Sequence, residues 1–167
     1  MGTTVDAVKE VRLKTGAGML DCKKAVEQCG GDVSAAIESL KEKGLAMASK
    51  RAERAVGEGV VASYLHHNSR VGALVELNCE TDFVARNEDF RQLAYDIAMH
   101  VVAASPVCLC EEDMPSDCEL TVAEACLLSQ PFVKDPSKSI GDLITEVIAR
   151  TGENVKVGRF TRIEVGV

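Results

Sequence analysis

The sequence holds no Trp, two Tyr, four Phe and four Pro in 167 residues. With aromatics at 4%, there are few rings on which bases could stack, so direct nucleic-acid binding is not expected. No apolar run approaches the roughly 18 residues of a membrane span. The start, Met1-Gly2-Thr3-Thr4-Val5-Asp6, has neither the basic nor the apolar region of a secretion signal, and Asp6 does not fit a myristoylation signal. Cysteine is not scarce, but the seven thiols are odd in number and no pair has CxxC spacing, which points to a reducing compartment rather than a disulfide scaffold. GxxxxGK[ST], GxGxxG and HExxH are all missing, leaving phosphate-loop nucleotide binding and zinc-peptidase chemistry without a motif. The expectation is a cytoplasmic protein that is not an enzyme, with no membrane contact and no metal or cofactor.

What is present is ordinary globular material, 46% hydrophobic and 27% charged, enough for one domain or two small ones. Charge is uneven. Residues 1–56 carry 10 Lys+Arg and 8 Asp+Glu, while residues 57–167 carry 9 and 18, so the two parts suit different partners.

In the first part, Thr3 or Thr4 can cap a helix carrying Val5, Val8 and Val11, which Thr15-Gly16-Ala17-Gly18 interrupts. Met19, Cys22, Ala25, Val26 and Cys29 recur at helical spacing up to Gly30-Gly31. Asp32 can cap a third helix with Val33, Ala36, Ile37 and Leu40, and Gly44 stands where a C-terminal glycine belongs. A compact three-helix bundle over 1–44 is predicted, followed over 45–56 by a basic helical linker containing Lys50, Arg51 and Arg54.

From 57 the period changes to that of strands. Val60–Leu65 and Val71–Leu77 flank a turn-forming segment, His67-Asn68-Ser69-Arg70, which reads as a β-hairpin. A helix with Phe90, Leu93, Ala94, Ile97, Ala98 and Val101 on one stripe ends before Ser105-Pro106. Residues 106–118 read as an acidic loop. Thr121-Val122-Ala123-Glu124 forms a capping box for a short helix reaching Gln130-Pro131, and Ser139 with Asp142 caps another bearing Ile140, Leu143, Ile144, Val147 and Ile148. The tail from Val155 to Val165 adds a third strand. Residues 57–167 are thus α+β, a three-stranded antiparallel sheet packed with helices. Helices from so short a chain can leave one sheet face open, a candidate homodimer surface.

Chemistry is sparse. His66 and His67 are adjacent and in a strand would point to opposite faces, so they read as surface residues. Cys108, Cys110, Cys118 and Cys126 lack the paired knuckles of a zinc site and read as free thiols, while Cys22, Cys29 and Cys79 occupy apolar positions. One segment stands out, Asn78-Cys79-Glu80-Thr81-Asp82-Phe83-Val84-Ala85-Arg86-Asn87 at a strand-to-helix junction. Its plain reading is that Thr81 or Asp82 caps the helix and Phe83 covers the sheet end.

Several pieces, in order, resemble the elongation factor Ts family. Thr15-Gly16-Ala17-Gly18-Met19-Leu20-Asp21-Cys22-Lys23-Lys24-Ala25 is similar to the signature of its N-terminal ubiquitin-associated-type domain. The stretch Val75 to Asn87 resembles the second signature almost residue for residue. Gln130-Pro131-Phe132-Val133-Lys134-Asp135 resembles the third, and Arg159 to Gly166 resembles the C-terminal strand. Where family members usually carry a longer helical region, residues 105–119 are a short loop with Cys and acidic residues. The single sheet subdomain without a coiled-coil insertion is similar to the short forms, which dimerise through that subdomain.

The resemblance implies a guanine-nucleotide exchange factor for elongation factor Tu, in its GDP-bound and nucleotide-free states. Thr81, Asp82, Phe83 and Val84 would enter the GTPase and dislodge its Mg²⁺, and the surface near Gly18, Met19 and Lys23 would dock on the same partner. Two other readings stand beside it. One is a non-catalytic adaptor whose ubiquitin-associated-like bundle binds ubiquitin or a peptide helix while the acidic half only dimerises; the other is a thiol or metal enzyme using Cys108, Cys110, Cys118 and Cys126.

Overall fold

The computed structural model describes residues 4–166. In chain order the elements are helices α1 (Thr4–Thr15), α2 (Met19–Gln28) and α3 (Val33–Arg51), strands β1 (Glu58–Leu65) and β2 (Val71–Cys79), and helices α4 (Asp82–Ala85), α5 (Glu88–Ala104) and α6 (Val122–Ala125). Strands β3 (Pro131–Phe132) and β4 (Asp135–Ser139), helix α7 (Ile140–Thr151) and strand β5 (Val155–Glu164) follow. The chain divides into two compact units, one of residues 1–54 with 145–154 and one of residues 55–144 with 155–167.

In the first unit α1, α2 and α3 close on Val8, Val11, Cys22, Ala25, Val26 and Ala36. Val5, grouped with the core stripe by its spacing, is exposed. The expected cap of α1 falls on Thr3 or on the side chain of Thr4, which lie outside the described residues. Asp32 caps α3 as expected, its Oδ1 accepting from the Ala35 amide at 3.0 Å.

Helix α3 does not stop at Gly44. It runs unbroken through what the sequence suggested was a separate linker, to Arg51. The glycine serves close packing instead of termination. A Cβ there would lie 3.5 Å from Thr145 Cγ2 and 3.7 Å from Ala149 Cβ, both on α7. The compact units therefore break elsewhere than at 44/45 and 56/57. Asn154, buried just after α7, donates from Nδ2 to the carbonyl of Arg54 at 2.8 Å, fastening the end of the first unit's N-terminal stretch.

In the second unit the sheet order is β1-β2-β5, antiparallel throughout. Strand β2 is central and alternates buried Ala73, Val75, Leu77 and Cys79 with more open Leu74, Glu76 and Asn78. The buried set meets α5, whose Phe90, Leu93, Ala94, Ile97, Ala98 and Val101 are all buried. Each such large apolar side chain contributes about 1.5–3 kcal/mol. Helix α5 ends as expected, at Ser105 in the left-handed region (φ 50°) just before Pro106.

Thr121 and Glu124 form the expected capping box, and Ser139 and Asp142 exchange cap hydrogen bonds at 2.8–3.0 Å. Helix α6 is only one turn, continued by a 3-10 turn at Leu127–Ser129. The loop expected over 106–118 contains another 3-10 turn, Glu111–Asp113, and a parallel bridge from Cys108 to Cys126. The β3–β4 hairpin has no counterpart in the sequence reading. His66 and His67 lie beyond the end of β1, so strand alternation does not separate them and their ring centroids come within 4.2 Å.

Candidate functional site

The junction after β2 departs from the plain reading. Thr81 precedes α4 with extended backbone (φ −129°, ψ 156°) and its side chain makes no cap hydrogen bond to the helix. The long helix α5 is capped by Asn87, whose Oδ1 accepts from the Asp89 amide at 2.8 Å. Thr81–Val84 thus open a separate turn set between the central strand and α5.

Successive residues of a helix are about 100° apart. Ala85 points inward and is buried, so Phe83, two residues earlier, is turned to the opposite side. Phe83 is 81% exposed, the one exposed phenylalanine of the four. It does not cover the sheet end.

The turn itself is well fastened. The Cys79 thiol donates to the Thr81 carbonyl at 3.2 Å, Arg91 Nε donates to the Ala85 carbonyl at 3.1 Å, and the Arg86 and Asn87 amides bond back to Asp82 and Val84 at 3.0 and 2.9 Å. Asp82 pairs with Arg86 at 3.0 Å on the surface, an exposed ion pair of small energy that an incoming group can displace at little cost. The arrangement is a rigid pedestal presenting an unpacked aromatic ring beside a carboxylate.

The other candidate residues, Gly18, Met19 and Lys23, lie in the first unit. Gly18 occupies the position before α2 in extended conformation (φ −59°, ψ 145°), Met19 is exposed, and Lys23 pairs with Glu27 at 3.8 Å. Two residues not singled out from sequence are more open still, Leu13 at 88% and Leu20 at 73%. The signal available was the pair of large apolar residues outside the Val8/Val11 and Cys22/Val26 stripes.

On the sheet face away from α5, Val61, Leu65, Leu74, Ile163 and Val165 are exposed. Strand register puts Leu74 beside Ser63 and Thr161, and Gly72 between Leu65 and Ile163, so these side chains form one apolar surface. A shallow depression of about 330 Å³ lies over it.

All seven cysteines are free. Among the described residues no group of three or more His, Cys, Asp or Glu is arranged to hold a metal, and no helix is long and apolar enough to cross a membrane. Behind the β3 strand, His100 is buried. It accepts from the Val133 amide at Nδ1 (3.4 Å), so Nε2–H donates to Gln130 Oε1 at 2.9 Å, and Gln130 Nε2 donates to the Glu124 carbonyl at 2.6 Å. Burial holds the imidazole's pKa below its ordinary value, favouring this neutral form.

The sequence matches the family model described as "Elongation factor TS" over residues 3–120. It is 47% identical over 195 aligned positions to elongation factor Ts of Thermodesulfovibrio yellowstonii, covering 99% of this chain and 98% of that protein. It is 48% identical to the elongation factor Ts of Desulforamulus reducens (95% and 87% covered) and 41% identical to that of Thermotoga maritima (99% and 98%). The chain belongs to the elongation factor Ts family, and with it to the exchange factors of translation elongation. The 195 aligned positions exceed the 167 residues present, so at least 28 positions of the first of these relatives have no counterpart here.

Proposed function

We propose that the protein accelerates GDP release from elongation factor Tu by inserting the Thr81–Val84 turn beside the metal and phosphate site of the GTPase. The observation that carries the reading is the exposed Phe83 on a fastened turn. A free aromatic ring has apolar area to bury only in a partner, and burying it is worth about 1.5–3 kcal/mol. Each 1.4 kcal/mol or so taken off the release barrier speeds release tenfold, so one wedge of this size supports a tens-of-fold effect.

Nucleotide is held in such GTPases largely by Mg²⁺ and by donors around the phosphates. Phe83 acts by displacing the elements that frame the metal, and Asp82, freed from Arg86, takes hydrogen bonds from the partner. No covalent step is involved. Because coupling between two ligands of one protein is reciprocal, GDP and this factor weaken each other's binding, and incoming nucleotide expels the factor.

Docking of the first unit through Gly18, Met19 and Lys23, with Leu13 and Leu20, adds affinity to the same partner. The open sheet face favours a homodimer. Its apolar side chains gather around Leu74, with the Glu76–Arg159 ion pair beside them, and a second copy provides a matching surface about a two-fold axis.

The test is release of a fluorescent GDP analogue from elongation factor Tu, with and without the protein, over a range of Mg²⁺ concentrations. Acceleration that weakens as Mg²⁺ rises supports the reading. No acceleration at saturating protein contradicts it and favours an adaptor that binds without exchanging.

A further inference from the structure

Cys108 and Cys126 are partners in an isolated parallel bridge, and their Sγ atoms lie 3.4 Å apart. With Ala125 they form a small core of their own, bordered by Met114, Cys118 and Val122. Bridge partners have Cα atoms about 5 Å apart, within the roughly 4.4–6.8 Å over which a disulfide closes without moving the backbone. The Cys108 thiol donates to the Ala125 carbonyl at 3.7 Å, which leaves the Cys126 S–H directed at Cys108 Sγ. Neither exchange nor the open sheet face uses these residues.

We propose that Cys108 and Cys126 are an oxidisable dithiol, a modification site where small disulfides of the glutathione class install an intramolecular disulfide, with Cys118 as the thiol that reacts first. Both members of the pair are buried, whereas Cys118 is half-buried and packs against them. Burial, reinforced by the bond to Cys126, pushes the Cys108 thiol up to about 11, so it is a poor first nucleophile at neutral pH. Cys110 is a still poorer one, pushed up to about 12 by its hydrogen bond to the Asp113 carboxylate at 3.1 Å.

The steps balance. The Cys118 thiolate attacks one sulfur of R–S–S–R, forming a mixed disulfide and expelling RS⁻, which takes up the proton Cys118 lost. One thiol of the pair then attacks Cys118 Sγ, losing its proton and expelling the second RSH. The other thiol of the pair attacks the sulfur of its neighbour, closing the Cys108–Cys126 bond and returning Cys118 as a thiol. Two thiols have lost two electrons and two protons, and the reagent has become two RSH.

The test uses the reduced full-length protein, oxidised glutathione, and peptide mapping without reductant. The expected product joins the peptides carrying Cys108 and Cys126. Cys118→Ser should form the same bond about tenfold more slowly. A bond from Cys118 to either partner as the final product, a glutathione adduct retained at Cys118 or Cys110, or unreacted Cys108 and Cys126 in protein still folded by circular dichroism would overturn the proposal. An unchanged rate in Cys118→Ser would remove its assigned role.

Discussion

Phe83 and Ala85 stand two residues apart on the single turn of α4 and face opposite ways, Ala85 into the packing beneath the turn and Phe83 into solvent. The buried alanine fixes the direction of the exposed ring. Bonds from Cys79 and Arg91 hold the turn at both ends, so the ring is presented without being packed.

The backbone beneath the site sets a first prediction. A Cβ on Gly59 would collide with the Leu77 carbonyl oxygen and lie 2.9 Å from Asn78 Cα, backbone atoms of the central strand that cannot swing aside. Gly59→Ala should cost about 1–3 kcal/mol, seen as a lowered thermal midpoint. Gly57→Ala, with nothing within 4 Å, should be close to neutral.

His100 makes stability depend on pH. Its folded pKa is lowered from 6.5, because burial disfavours the imidazolium. The folded state therefore binds fewer protons than the unfolded chain below about pH 6.5. Stability should be level above that pH and fall below it, by up to about 1.4 kcal/mol per unit until the folded pKa is reached. Denaturant titrations from pH 8 to 5 check this, and His100→Gln should flatten the dependence in that window.

The open sheet face predicts a response to charge. Leu74 is half-exposed on the central strand, between Ser63 and Thr161. Leu74→Asp should leave the thermal midpoint within a few degrees and convert a dimer to monomer in sedimentation equilibrium. A wild-type protein that is monomeric at high concentration would remove the dimer from the account.

The first unit's contribution is separable. Leu13→Ala with Leu20→Ala should weaken binding to nucleotide-free elongation factor Tu by about tenfold, a loss typical of truncating exposed apolar anchors, while the bundle core of Val8, Val11, Cys22 and Val26 stays intact. Calorimetric titration measures it.

Much of this was legible in the sequence because the signals were local. The alternation along β2, the stripe on α5, the Thr121/Glu124 box and the Ser139/Asp142 cap each depend on residues within a few positions of one another. Gly44 was misleading for the opposite reason. Its partners, Thr145 and Ala149, are a hundred residues away, and a glycine needed for close approach looks the same in sequence as one that ends a helix. The β3–β4 hairpin, with strands of two and five residues, is too short for a period to register. At the site, the Thr81–Val84 segment stands out by its motif, and the plain reading of the junction puts Phe83 over the sheet end, where the structure leaves it exposed. Only the separation of α4 from α5, enforced by the Asn87 cap, turns the ring outward.

The most direct test compares wild type with Phe83→Ala in stopped-flow release of a fluorescent GDP analogue from elongation factor Tu at fixed Mg²⁺. The wedge account predicts a loss of about 10- to 100-fold in the catalysed rate, with little change in the thermal midpoint because the ring is largely exposed in the free protein. Equal release rates for the two proteins would contradict it.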